Sequence, residues 1–589
     1  MAVLFFALAP SFGTLDAPLI SDDTSALAYV AREAPFADWG QPQYGMRVIR
    51  FWRPLVTASL DVQELLTGVD PVPLRRYNLA WHAAGAVLAG LLALRLGAGR
   101  PGALAAGLLA GSFPEHGGTV TWIVGRVDSQ TVPLVLLACW LALGRGAGAA
   151  LGAALTAFLA CASKELAFCV PALGLTLALA RGGALRAALG TFLPLLVGAS
   201  VAFLARRAAL GTWVGGYPVH GLGPAAALAA GRAAVSFLWP VLVAGTAALL
   251  LSRAKAPAWR AAAFGVAAAG AALLPLFPLL SDGLVEEQNR RVLFLADALL
   301  AVAVGAGLRP RPGRAALVAL LPVLLAVLVR AEGAFVDARE WADAAALAES
   351  HVARAREAVA GVPASEDPVF DSTFPREHGG AYCLAWGAAD RFRAPFEASP
   401  RPVWPLRVLF AQRTPGERER RYVYRPHDHL VWPFGRAQRM VPEIPVTVGG
   451  ERDFGPLVLD ESVATVDAGG AVLEIWGTYT GRFEFLVYTE LGYEPGTWGP
   501  AEGGVLELDP GGIQSPVRRV TLGDVLRLGT LATLGDALIQ AADTGATRAY
   551  LELRVVDDAR GIQNRPVAAS RMLPLVWDAG LLERLGVGD

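Results

Sequence analysis

The chain has 589 residues, of which 54% are hydrophobic and 17% charged, with a formal net charge of −1 and a mean hydropathy of +0.44. Soluble proteins of this size carry about 25% charged residues, so an ordinary soluble multidomain enzyme is excluded, and so is a disordered chain. The near-zero net charge gives no global electrostatic reason to bind nucleic acid, and four cysteines without a CxxC pair exclude a disulfide framework or zinc ribbon.

The hydrophobicity is confined to one half. Residues 1–332 are apolar runs with short polar breaks, whereas 333–589 read as a charged, aromatic sequence punctuated by Pro and Gly. About eleven runs are long enough, or nearly so, to cross a bilayer. They centre in 2–14, 77–95, 101–113, 131–144, 147–162, 166–180, 187–205, 225–251, 258–280, 292–308 and 315–330. The first, MAVLFFALAP, lacks a basic start and reads as a truncated helix or a poor signal segment.

Charge sorts the breaks between the runs. One set carries Arg95 and Arg100, Arg145, Arg181 and Arg186, Arg253, Lys255 and Arg260, then Arg309, Arg311 and Arg314, with no acid among them. The alternate set carries Asp22, Asp23, Glu33, Asp61, Glu64, Glu115, Asp128, Glu165, Asp282, Glu286 and Glu287. The positive-inside rule puts the first set in the cytoplasm and the second outside. The C-terminal half then also lies outside, which in a bacterium means a periplasmic domain on an inner-membrane protein.

The first outer loop, 15–76, is long. Ala26, Tyr29 and Val30 recur at helical spacing, as do Val48, Phe51, Trp52 and Leu55, which predicts two amphipathic helices lying on the outer leaflet. Asp22-Asp23 stands at the start of the first, where a carboxylate can cap the helix. Within the apolar runs, Arg232 and Asp297 are expected to pair with each other, because ionisable groups in hydrocarbon need partners.

In the C-terminal half, Trp341, Ala345, Leu347 and Val352 predict a helix over 339–360. A strand at 368–371, a helix at 380–397 and a strand at 407–410 complete a small α/β segment over 333–420. Over 421–589 the short segments YVYRP, HLVWPF, AVLEIWG, RFEFLVYTEL, GVLELD, RRVTL and AYLELRVVD predict a β-sandwich-like domain. His427 and His429 lack an evident third ligand, so no metal site is assigned. Trp476, Tyr479, Tyr488, Tyr493 and Trp498 could form either a sugar platform or core.

Several motifs occur in fixed order: Asp22-Asp23, Trp52-Arg53-Pro54-Leu55, Asn78-xxx-His82, Pro114-Glu115-His116 leading to Trp122-Ile123-Val124-Gly125-Arg126-Val127-Asp128, Ser163-Lys164-Glu165, and Arg291-xx-Phe294-Leu295. Over residues 20–300 this order resembles the GT-C superfamily of membrane glycosyltransferases, in particular the transmembrane-and-TPR O-mannosyltransferases and their bacterial relatives, without the TPR repeats. The family's stretches read roughly RPL, NxxxH, HPxHxEAVAWIxGRAD, KE and RYLYLP. Phe113, Gly118 and Ala296 depart from that pattern, replacing its first histidine, a glutamate and a proline.

The resemblance implies a GT-C-like helical membrane bundle and a polyprenyl-phosphate-linked sugar donor. It also implies a protein or glycan acceptor arriving from outside, with inversion at the sugar. Asp22 or Asp23 is then the base, and His116 orients acceptor or phosphate. Arg126 and Arg291 lead as donor-phosphate ligands, with Arg53 and Lys164 behind them; Lys164 stands out because Lys255 is the only other lysine. No cofactor follows from these residues. A non-catalytic relative, a transporter or flippase, and a polymerase of lipid-linked saccharides are the alternatives.

Overall fold

A computed structural model describes residues 1–45, 50–180, 185–213, 224–251, 254–276, 287–308 and 314–360, and shorter segments beyond. Thirteen helices are described: α1 (Ala2–Leu8), α2 (Asp23–Arg32), α3 (Pro54–Thr67), α4 (Pro71–Arg95), α5 (Arg100–Gly111), α6 (Arg126–Ala142), α7 (Ala147–Cys161), α8 (Val170–Ala180), α9 (Leu185–Leu210), α10 (Pro224–Leu251), α11 (Ala256–Leu273), α12 (Phe294–Gly307) and α13 (Arg314–Ala360). Each of the eleven apolar runs overlaps one of them. Among the described residues, four helical stretches are long and apolar enough to cross a membrane: Pro71–Arg95, Ala188–Leu210, Ala234–Leu251 and Val318–Ala353. Exposed Leu189, Leu193, Leu196, Val197 and Leu204 on α9 have no reason to face water. The chain is a multi-pass membrane protein.

The bundle is assembled around α4, which packs on α5, α6 and α12; α12 also packs on α11, α5 and α10, and α13 on α10 and α5. Small residues permit the approach of α5 to α12. A Cβ on Gly102 would lie 2.3 Å from the Gly305 carbonyl oxygen, so only glycine fits this crossing. The two ends of α4 have different surroundings. Arg75 and Arg95 stand at opposite ends of α4, roughly 30 Å apart at ~1.5 Å per residue. Near Arg95 lie Trp140, under its guanidinium at 4.7 Å, and the Gly99 amide, which donates to Leu308. At the Arg75 end lie Asp22, Trp122 and the Thr121 carbonyl.

Four expectations change. Phe51 and Trp52 are not on a surface helix: both are buried, and the helix starts only at Pro54. A residue before proline is kept out of helical geometry, and Pro54 at the first helical position suits the start of α3. Val48 lies outside the described residues. The predicted outer helix 339–360 is the continuation of the last apolar run, so α13 runs unbroken through the 332/333 boundary. Ala381–Tyr382 is a short strand paired with Glu377–His378 instead of the start of a helix. Asp297 pairs with Arg330, not Arg232. Its two carboxylate oxygens accept from Arg330 at 2.9 and 2.7 Å in full burial, while Arg232 is exposed on α10.

Beyond residue 421 the described residues are strands. Arg482–Thr489 pairs antiparallel with Arg548–Val556, which also pairs with Pro566–Ser570 and Leu573–Val576. Val472–Ile475 pairs with Arg518–Thr521 and Val446–Gly449. Val369–Phe370 lies parallel to Tyr422–Arg425, itself paired with Leu430–Pro433. The expected strands at 407–410 and 504–509, His427, His429, and the aromatics Trp476, Tyr479, Tyr493 and Trp498 lie outside the described residues.

Candidate functional site

The site is built where the first loop meets the WIVGRVD turn. Asp22 precedes α2 but does not cap it. Its Oδ1 accepts from the Trp122 indole N–H at 2.8 Å, and the residue as a whole is half-buried. Asp23 is fully buried. Its Oδ1 accepts from the Val124 amide at 3.0 Å and its Oδ2 from the Ile20 amide at 3.2 Å, tying the loop to the Trp122 turn. Burial pushes the Asp22 carboxyl up to about 6, against the opposing Trp122 hydrogen bond and Arg291 charge. Burial, and then the neighbouring Asp22, push Asp23 up to about 7. The two acids have therefore separated roles: Asp23 builds the turn, and Asp22 presents a carboxylate.

The turn is fixed from the helical side as well. Asn78 on α4 donates to the Trp122 and Ile123 carbonyls at 3.2 and 3.1 Å. Arg75 donates to the Thr121 carbonyl at 2.7 Å and also to the carbonyls of Leu15, Ala17 and Pro18. These buried donors satisfy the main chain of a tight, irregular segment, a role that within the Asn78-xxx-His82 motif falls to Asn78.

Cations converge beside Asp22. The Arg291 guanidinium lies 4.1 Å from the centroid of the Trp122 ring, and its Nε stands 3.4 Å from Asp128 Oδ2. Lys164 Nζ donates to Asp128 Oδ1 at 2.5 Å. Burial, and the positive charges of Arg53 and Arg291, hold the Lys164 ammonium below its ordinary value, with Asp128 opposing them. Arg53 grips one oxygen of Glu165 through Nε at 3.0 Å and Nη2 at 2.8 Å, with its guanidinium 3.9 Å over Phe51. The Arg291, Arg53 and Glu165 side chains are 12%, 15% and 24% exposed, so this cluster opens to its surroundings.

Two predicted residues take other places. Arg126 is fully buried, with its guanidinium donating to the Ile123 and Leu74 carbonyls and the Ser59 hydroxyl and resting over Tyr77. At the first turn of α6 it braces the WIVGRVD backbone. His116 is also fully buried; its Nε2 lies 2.6 Å from Ser11 Oγ and its ring packs edge-on against His82. Burial, and then His82, hold it well below its ordinary value, so it is neutral and packed inside.

The sequence reading missed Trp122 as the link between acid and cation, and Asp128 and Glu165 as partners of Lys164 and Arg53. Asp128 lies two residues after Arg126 in WIVGRVD and Glu165 next to Lys164, and that nearness to basic residues is the signal the sequence carries. Gly118 lies beside Arg291: a Cβ there would meet Arg291 Cδ at 3.6 Å, so the departure from the motif occurs at the cation itself.

No family model matches the chain. Over 134 residues it is 32% identical to the Protein O-mannosyl-transferase Tmtc1 of Drosophila melanogaster. It resembles the GT-C membrane glycosyltransferases. That match takes in 21% of this GT-C-like chain and 16% of the Drosophila protein. Among solved structures, ArnT from Cupriavidus metallidurans in the apo state has a TM-score of 0.43 and 16% identity, covering 75% of this chain and 95% of that one. The same protein bound to undecaprenyl phosphate has a TM-score of 0.41 and 14% identity, covering 72% and 92%.

Proposed function

We propose that the chain is an inverting glycosyltransferase that moves a sugar from a polyprenyl-phosphate donor to an acceptor hydroxyl at the outer face of the membrane. One observation carries the reading: a carboxylate and a guanidinium sit on the same indole, Asp22 on its N–H and Arg291 on its face. The acceptor oxygen attacks the anomeric carbon as the bond from that carbon to the phosphate oxygen breaks. Asp22 takes the hydroxyl proton, for which a base raised toward neutral pH is suited. The phosphate leaves with the bonding pair, and its growing charge is met by Arg291, with Lys164 and Arg53 beside it. Asp128 holds Arg291 and Lys164 in place.

In this reading the about eleven apolar helices span a bacterial inner membrane, the arginine-bearing turns face the cytoplasm, and the β-strands form a periplasmic sandwich-like domain. The acceptor is a protein or glycan. The purified full chain, supplied with undecaprenyl-phosphate-linked sugars and a hydroxyl acceptor, provides the test. Asp22→Asn is expected to lower transfer about 100-fold or more, the usual weight of a general base, with donor binding retained. Full activity in D22N overturns the mechanism, and movement of the donor across a vesicle without cleavage favours a flippase.

A further inference from the structure

The turn that carries Asp22 is held from two sides, and one of them belongs to the C-terminal half. Ser21 has φ of 49°, a left-handed conformation that a non-glycine residue keeps only when its surroundings impose it. Its amide donates to the Cys383 carbonyl at 2.8 Å, and Cys383 Sγ in turn reaches the Ala344 carbonyl of α13 at 3.3 Å. Arg391, itself buried, donates through Nη2 to the Leu19 carbonyl and through Nη1 to Glu349 on α13 at 3.0 Å. Trp341 of α13 stacks on Trp122 with centroids 5.3 Å apart, and Tyr382 meets both rings edge-on. Residues 19–21, the indole that holds Asp22, and α13 therefore form one packed unit.

We propose that Arg391 is a positioning residue for the Asp22 carboxylate. Anchored by Glu349, it clamps the Leu19 carbonyl, while the Cys383 carbonyl clamps Ser21, and together they fix the left-handed turn that aims Asp22. Arg391 touches no reacting atom. A planar guanidinium holds its donors in a rigid fork that fixes an acid and a carbonyl in one geometry, whereas a lysine ammonium is a rotatable point charge. The C-terminal half is on this view part of the reaction centre and not an appendage that only gathers acceptor. The proposal rests on the reading of Asp22 as base.

The test uses the full-length protein with two readouts. Hydrogen exchange needs no substrate: in Arg391→Ala the amides of residues 20–23 are expected to exchange about tenfold faster, as local opening becomes easier, with those of α4 unchanged. In the transfer assay R391A is expected to lower kcat by about 10- to 100-fold through misplacement of the base, with the KM for an undecaprenyl-phosphate-linked sugar held. The pH of half-maximal rate should fall by roughly half a unit or more as water reaches Asp22. R391K is expected to lie between R391A and the native protein. Should R391A fail to fold, Glu349→Gln removes the anchor, together with the Glu349 ion pair to Arg356, and is expected to give the same changes, smaller. Ser350→Ala, at an exposed position on the same helix, is the control and should change neither readout. Unchanged exchange at 20–23 overturns the clamp, and faster exchange with an unchanged kcat and pH profile overturns its positioning role. If the native protein transfers no sugar, it is the base assignment that fails, and hydrogen exchange alone then decides the clamp.

Discussion

Ionisable side chains gather in two places in this molecule, and they are used differently. Inside the bundle, Asp297 and Arg330 form a closed pair: both carboxylate oxygens are bonded, a guanidinium N–H also reaches the Leu109 carbonyl at 3.0 Å, and the side chains are 0% and 1% exposed. His82 and His116 lie in the same interior, packed on Phe294 and Ser11. At the Arg75 end of α4, Asp128 pairs with Arg291 and Lys164, Glu165 pairs with Arg53, and Asp22 shares the Trp122 indole with Arg291; Arg291, Arg53 and Glu165 are partly exposed. Charge in hydrocarbon is commonly taken to mark function. Here the matched, fully enclosed pair ties α12 to α13 and α5, while the open cluster leaves Arg291, Arg53 and Glu165 partly exposed.

The largest effect that would break this contrast is on stability. Asp297→Ala leaves Arg330 buried without its counter-ion and is expected to cost about 3–5 kcal/mol, read by denaturant unfolding in detergent. Replacing both residues with leucine should restore most of it, because buried ion pairs are often matched by apolar packing. If D297A instead abolishes transfer at native stability, the inner pair is a site after all.

A smaller effect sharpens the outer region. A Cβ on Gly117 would stand 2.4 Å from Trp341 Cδ1 and 2.8 Å from the Asp337 carbonyl oxygen, whereas one on Gly118 meets nothing closer than 3.6 Å. Gly117→Ala should therefore cost about 1–3 kcal/mol through overpacking, and Gly118→Ala no more than about 0.5 kcal/mol. Thermal unfolding of the two variants checks the difference.

The remaining effect is the dependence on pH, and its sign is opposite for rate and stability. Asp22 and Asp23 have folded values of about 6 and about 7, above the ordinary aspartate value of about 3.9. Their stabilising contribution is therefore complete below about pH 4 and is lost as pH rises through 6 to 7. The transfer rate should climb through about pH 6 as Asp22 loses its proton. Melting curves between pH 4 and 8 should flatten in D22N and in Asp23→Asn. An unchanged slope in both variants would separate these acids from the open cluster's electrostatics.

The sequence by itself determined the helical membrane bundle, because eleven apolar runs and the sorting of arginine from acid are properties of composition along the chain. It also marked Asp22, Arg53, Lys164 and Arg291, since each stands in a short motif. Tertiary structure decided the rest. Whether Arg126 meets a ligand or a carbonyl depends on which main-chain oxygens surround it. The partner of Asp297 is 33 residues on, at the end of an apolar run where Arg330 reads as a boundary charge. The ties of Leu19 and Ser21 to Arg391 and Cys383 span more than 360 residues. Hydropathy and spacing record which solvent a segment prefers and which helical face a residue shares. Pairing across such separations is set by packing, which no local pattern encodes.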